Sequence, residues 1–404
     1  MSHRIAAGLI FLLTYLVMAR GHVRPLRIDR AGAALLGGIA MVVFGGMPFA
    51  DAITAIDWDT IALLLGMMLL AAQLRLAGFF DLITAFAVRR AGHPLLLLTA
   101  IVLISGVLSA LLVNDTVCLI LTPIVLSVVL QLGRKPVPYL IALALAANAG
   151  SVATLTGNPQ NMIVGSLSGI SYGDFAARLT PVGGMALALT VLVVALLWRD
   201  EFFVRVHLLV PAPPVRLNRA MLAKGAAALA GVMAAFLAGV RPAEAALAAG
   251  AAMLATRRLR PQRFYDSIDL PLLLMFAGLF VVVAGAQAAL LTPDVTHAVM
   301  RLPLGQSVPL TLLTAALSNL VSNVPAVLVL KPFIAELADP RRAWLIVAMA
   351  STLAGNLFIM GSVANLIVVQ EAARSFIVIS FSEYGKLGVP LTILSLLAGL
   401  AWLG

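Results

Sequence analysis

Four polar interruptions in otherwise apolar sequence hold most of the residues that could do chemistry: Asn114-Asp115-Thr116, Gly157-Asn158-Pro159 with Asn161, Ser322-Asn323, and Gly361-Ser362 with Asn365. Each carries the residue types of a helix start. Asn114 or Asp115, Asn158, Asn323 and Ser362 are good N-cap types, while Pro159 and Pro325 suit a first turn. Helix starts present free N–H groups and partial positive charge, which favour an anion or an oxygen-rich polar solute. Carbonyls freed at the opposite ends of broken helices can hold a cation, so Na+, if it is bound, is expected at Asn114, Asp115, Gly157, Asn323 and Gly361. The competing reading is that Pro and Gly only kink helices and that Asn and Ser bond neighbouring ones. Repetition of the breaks favours a site.

Asp115 stands apart. A carboxylate deep in apolar sequence is costly unless protonated or paired, and such residues usually mark ion or proton paths. It is the candidate coupling site for H+ or Na+, with structural pairing to a buried donor such as Asn148 as the alternative. Lys331 lies eight residues beyond Asn323, roughly 12 Å along a helix, where a lysine can snorkel to the interface. Gln73 and Arg75 read the same way.

The elements that position these breaks are set by composition. Of 404 residues, 62% are apolar and 11% charged, far from the ~45–50% and ~25% of a soluble domain. The chain is therefore polytopic, with about a dozen spans at most. The single cysteine, Cys118, excludes a disulfide framework, and the five histidines are too scattered to bind a metal. A net charge of +10 fits basic cytoplasmic loops meeting anionic lipid rather than nucleic acid. No nucleophile–base pair or metal set lies near a break, so an enzyme is not expected. Without a P-loop signature, ATP coupling could come only from a separate ATPase partner.

The run Ile5 to Met18 lacks a small-residue cleavage site and is followed by Arg20, Arg24, Arg27 and Arg30, so it reads as a retained span. Residues 94–132 and 307–337 each fold back at a polar tip with no room for a solvated loop. Arg89, Arg90 and His93 precede the first pair while Arg134 and Lys135 follow it, which puts both ends on the basic side, as in a re-entrant hairpin. Ten crossings result, and 20 of the 27 Lys and Arg then fall in cytoplasmic loops.

Self-similarity divides the chain. Ile56-Asp57 matches Ile268-Asp269, Ser109 to Asn114 matches Ser318 to Asn323, and Gly157 to Asn161 matches Gly361 to Asn365. The halves are 1–198, with hairpin 94–132 and broken helix 139–172, and 221–404, with hairpin 307–337 and broken helix 343–377. A cytoplasmic linker, 199–220, joins them. Five crossings per half is odd, so the second half is expected upside down. The predicted fold is an all-α polytopic membrane protein, an inverted repeat of two five-crossing halves, each with one re-entrant hairpin and one broken helix. Inverted repeats with midplane breaks suit secondary transporters.

At these residues the sequence resembles the ion transporter superfamily, which contains divalent anion:sodium symporters, citrate permeases and arsenical pump membrane proteins. The likeness covers roughly residues 31–403. Asn114-Asp115-Thr-Val-Cys-Leu-Ile-Leu-Thr-Pro123 is similar to the first-hairpin motif of arsenite permeases. Leu155-Thr-Gly-Asn-Pro-Gln-Asn161 is similar to the Gly-x-Pro-Pro-Asn break of the carboxylate and sodium/proton branches. Both tips of the dicarboxylate symporters read Ser-Asn-Thr, with Asn and Thr on substrate and tip backbone on sodium; Thr116, Ser322 and Asn323 match that pattern here. The resemblance implies a homodimer in which a scaffold of outer spans holds a moving core. The expected function is secondary transport, in a bacterial inner membrane, of a small anion or oxyanion (carboxylate- or arsenite-like), coupled to Na+ or H+ by an elevator motion, with a neutral oxyacid as the competing solute. A sodium/proton antiporter with no organic substrate is the alternative.

Overall fold

A computed structural model describes residues 2–20, 22–23, 28–208, 217–255 and 262–404. The Pro211-Ala-Pro-Pro run of the expected linker, with Arg24 and Arg27, lies outside them. The first half contains α1 (Ser2–Arg20), α2 (Arg30–Val43), α3 (Phe49–Ala55), α4 (Trp58–Leu76), α5 (Phe79–Arg90), α6 (Pro94–Leu111), α7 (Asn114–Gln131), α8 (Pro136–Ser151), α9 (Pro159–Ser168) and α10 (Tyr172–Leu197). After the short α11 (Arg199–Phe202), the second half gives α12 (Arg219–Leu237), α13 (Pro242–Leu254), α14 (Gln262–Tyr265), α15 (Leu270–Leu290), α16 (Pro293–Met300), α17 (Ser307–Val321), α18 (Asn323–Ile334), α19 (Pro340–Ala354), α20 (Val363–Arg374) and α21 (Phe381–Leu403). The ten helices correspond one for one. Even the 3-10 turns between α8 and α9 (Leu155–Gly157) and between α19 and α20 (Ile359–Gly361) recur. A two-residue strand pair, His22–Val23 with Ile28–Asp29, lies between α1 and α2.

Among the described residues, seven helices are long and apolar enough to cross a membrane: α4, α6, α7, α10, α12, α15 and α21. Their starts follow local chemistry. Asp57 and Asp269, matched residues of the duplication, each accept a hydrogen bond from the backbone three residues on and so cap α4 and α15.

Packing is reciprocal. Helix α2 lies along α15, and its counterpart α13 lies along α4. Lipid tails are as apolar as leucine, so close backbone approach has to hold such pairs together, and small residues supply it. A Cβ added at Gly278 would sit 2.4 Å from the Ala34 carbonyl oxygen; one at Gly66 would sit 2.3 Å from the Ala246 carbonyl carbon.

Polar contacts anchor the hairpins at opposite ends of α10. His93 Nε2 donates to the Val204 carbonyl (2.9 Å), and Arg134 forks onto the Glu201 carboxylate (2.8 Å) and carbonyl (2.7 Å), just beyond the C-terminal end of α10. Glu201 is buried and also accepts from Tyr139, so the expected linker begins as a docked segment. At the N-terminal end, Arg341 pairs with Asp174 (2.6 Å) and Arg342 donates to Ser307, the first residue of α17 (2.8 Å). Ends on one face are equally what two complete crossings give, and α6 and α7 are each long and apolar enough to cross. Asn114, at the first tip, is buried and donates to Asn148 on α8.

Gln73 is fully buried and donates to the Met221 carbonyl (3.1 Å), tying α4 to α12 rather than snorkelling. Lys331 and Arg75 are exposed.

Two outcomes follow from this packing. Cysteines replacing His93 and Gly133 in a Cys118-free background label from one face, while one replacing Leu112 at the tip resists impermeant reagent from the other; labelling of Leu112 there would make the pair two complete spans. Gly66→Ala, with no room for its Cβ, lowers stability by about 1–3 kcal/mol, read as a fall in Tm. Gly231→Ala on α12, whose Cβ would meet nothing within 4 Å, does not.

Candidate functional site

The broken helices are closed by the same device in both halves. Asn158, in extended backbone, caps α9 by accepting from Asn161 N–H (2.8 Å). The Asn161 side-chain amide turns back to the carbonyl of Ser151 at the end of α8 (3.0 Å) and to that of Thr154 in the turn that follows (2.9 Å). In the second half Ser362 accepts from Ala364 N–H, and Asn365 donates to Gly355 (2.7 Å) and Phe358 (3.2 Å). Asn161 and Asn365 are thus fully buried behind the site, and four of the freed carbonyls are already occupied. The turn glycines are required by contact. A Cβ at Gly157 would lie 2.2 Å from the Ser151 carbonyl oxygen, and one at Gly361 2.8 Å from that of Gly355.

The two breaks interlock. Asn148 on α8 donates to Asn356 (2.9 Å) and Asn365 (3.0 Å), and its oxygen accepts from Asn114 (3.0 Å) and Ser362 (3.1 Å). Its counterpart Thr352 on α19 accepts from Asn158 and Gln160, both at 3.2 Å. Each half therefore bonds the other half's break from an equivalent position. The Asn148 oxygen is taken up by Asn114 and Ser362, and Asn148 makes no hydrogen bond to Asp115.

At the second tip Ser322 has φ 81° and ψ 161°, a region essentially reserved for glycine that costs of order 1–3 kcal/mol and clusters at functional sites. The Ser318 hydroxyl lies within hydrogen-bond reach of Asn323 Oδ1 and of the Ser351 carbonyl, holding this tip to α19.

All four interruptions reach one cavity of about 150 Å3. Asn114 and Asp115 come from the first tip, Ser322 and Asn323 from the second, Gln160 from the first break and Ser362 from the second. Leu272, Met275 and Phe276 of α15 form an apolar wall, and Arg30 of α2 completes the lining. Asn319 also borders the cavity, and its Oδ1 is buried without a hydrogen-bond partner among the described residues. A second cavity of about 50 Å3, on another side of Asp115, is lined by Arg75, Thr116, Ser267 and Asp269. Asp115 borders both, and its carboxylate receives no hydrogen bond from a described residue.

Of the residues expected at the site, Asn114, Asp115, Ser322, Asn323 and Ser362 line the main cavity, and Thr116 lines the second. Gly157, Asn158, Asn161, Gly361 and Asn365 shape the breaks behind it. Sequence reasoning missed Arg30, Gln160, Asn319 and Thr352. Among the described residues, no group of three His, Cys, Asp or Glu could hold a metal.

The family described as Citrate transporter matches residues 13–354. The chain belongs to the citrate transporter family. It is an integral membrane transporter, not an enzyme. Its relatives include an uncharacterised transporter of Mycobacterium tuberculosis strain H37Rv, 31% identical over 97% of this chain and 96% of that one. An inner membrane protein of Escherichia coli K12 is 32% identical over 95% and 97%, and a silicon efflux transporter of Oryza sativa subsp. japonica is 27% identical over 94% and 93%. The fold is similar to that of the YdaH transporter of Alcanivorax borkumensis, with a TM-score of 0.62 and 15% identity over 100% of this chain and 97% of that one.

Two substitutions separate scaffold from solute contact. Asn148→Ala strands partners in both halves and lowers stability by about 1–3 kcal/mol for each buried group left unpaired, seen as a lower Tm. Ser322→Gly relieves strain and keeps or raises Tm, yet removes a hydroxyl from the cavity and slows transport in vesicles.

Proposed function

We propose that the chain is a secondary active transporter of a small anion or oxyanion, coupled to Na+ or H+ and working by an elevator motion. Its solute site is the cavity where the four interruptions meet. One observation carries this reading: three helix starts and a strained tip surround a single carboxylate in one cavity of about 150 Å3 lined by both halves. Helix starts favour anionic oxygen, and a cation or proton on Asp115 removes the one charge that would repel it. The family description names citrate and one relative is named for silicon efflux; an oxygen-rich small solute suits both names and this lining.

The reciprocal helix packing and the anchoring of the hairpins at opposite ends of α10 support an inverted repeat, 1–198 and 221–404 joined by 199–220. In that arrangement the hairpins and broken helices form a moving core, the outer helices form a scaffold, and the basic loops face the cytoplasm of a bacterial cell. A homodimer of such scaffolds completes the proposal; no ATPase partner is invoked.

The test is reconstitution in vesicles with imposed Na+ and H+ gradients. Wild type accumulates citrate, phosphate or arsenite against its gradient when one cation gradient is present. Asp115→Asn abolishes that accumulation while leaving solute exchange at about the wild-type rate. Unchanged ion dependence in this variant would remove the acid from coupling. Gradient-driven Na+/H+ exchange with no solute moved by either protein would establish the antiporter instead.

A further inference from the structure

Arg30 opens α2, and Asp29 beside it caps that helix by accepting from Gly32 N–H (2.7 Å). The Arg30 side chain is partly buried against the main cavity, where Arg30 and Asp115 are the only charged residues in the lining among the described residues. No ion pair joins them, and the Arg30 guanidinium makes no hydrogen bond to any described residue. A guanidinium withdrawn from bulk water without a partner is a poor structural element. Its planar fork of donors matches carboxylate and phosphate oxygens.

The two charges give the cavity a simple logic. With Asp115 ionised, the lining is formally neutral, and an entering anion meets a carboxylate as well as a guanidinium. With a proton or Na+ on Asp115, the lining carries a net positive charge centred on Arg30. Among the described residues, the remaining charged or titratable groups near Asp115 are Arg75 from α4 and Asp269 at the start of α15, which are opposite in sign, and Cys118 one turn along α7. Asp115 also borders the second cavity, a space distinct from the one assigned to the solute.

We propose that Arg30 is the residue that recognises the anionic group of the solute, and that cation loading of Asp115 switches it on, so that anion and cation bind together. This rests on the transporter reading above and narrows it: the solute carries at least one carboxylate or oxyanion group, and neutral oxyacids are poor ligands.

The experiment is thermal stabilisation of the purified full chain by citrate, by phosphate and by the neutral oxyacid arsenous acid, in acidic and alkaline buffer, with and without Na+. The proteins are wild type, Arg30→Gln, Arg30→Lys and Asp115→Asn. A ligand of the native state raises Tm by an amount that grows with the logarithm of its affinity. Wild type binds the effective anion about tenfold more tightly in acid or with Na+, a difference of about 1.4 kcal/mol. Asp115→Asn binds it tightly in every buffer. Arg30→Gln loses at least tenfold in every buffer, and Arg30→Lys recovers part of the loss. The inference is overturned if Arg30→Gln binds as wild type does, or if Asp115→Asn keeps the cation dependence. Should Arg30→Gln fail to fold, Arg30→Lys tests the guanidinium, binding as tight as wild type overturning its role, and Asp115→Asn tests the switch. If neither anion stabilises wild type in any buffer but a neutral oxyacid does, this inference fails while the transporter reading stands; if no solute does, both fail.

Discussion

Backbone that breaks inside hydrocarbon has nowhere to find a hydrogen bond except within the protein. That constraint organises this structure. Each broken helix leaves carbonyls behind at its first segment, and an asparagine seven to ten residues further on returns to collect two of them. The return is possible only because Gly157 and Gly361 let the turn pack on preceding backbone. With the carbonyls satisfied, what stays open at each break is the helix start, the electropositive end. The site is thus the remainder of a backbone problem: one pole of each break is closed and the other faces the cavity.

A second level of order comes from Asn148 and Thr352. An isolated hydrogen bond contributes about 0.5–1.5 kcal/mol net, but bonds that share partners in a low-dielectric interior reinforce one another. Asn148 alone links the first tip, its own half's α8 and the second half's break. Displacing any one interruption would strain the others. The lining therefore behaves as a unit, whereas α15, which supplies the apolar wall, is held by glycine contacts to α2.

The parts legible in the sequence were those where a residue type is conspicuous against an apolar background. Asn, Pro, Gly and Ser in hydrocarbon-length runs marked all four interruptions, and their spacing revealed the duplication. Roles within a break were not legible. Asn158 and Asn161 look alike as letters, yet one caps a helix start and the other closes carbonyls, a distinction fixed by backbone direction. Thr352 escaped notice because its counterpart is Asn148, a different side chain performing the same cross-half bond. Arg30 sat in a basic stretch after a span and had the appearance of an orientation signal. Gln73 reads as an interfacial residue in the sequence because its position near a helix end is visible while its partner, Met221, is 148 residues away.

Reciprocal packing of α2 on α15 and α4 on α13 also bears on how the protein is made. Gly66 finds Ala246 only after about 180 further residues have been synthesised, which at roughly 5–20 residues per second is on the order of ten to forty seconds. Throughout that interval the first half sits in the bilayer with its small-residue grooves open, and any other helix with a complementary stripe can occupy them. Biogenesis then has a vulnerable window set by chain topology, during which chaperoning by the insertion machinery, rather than the final stability of the fold, governs the yield of correctly assembled protein.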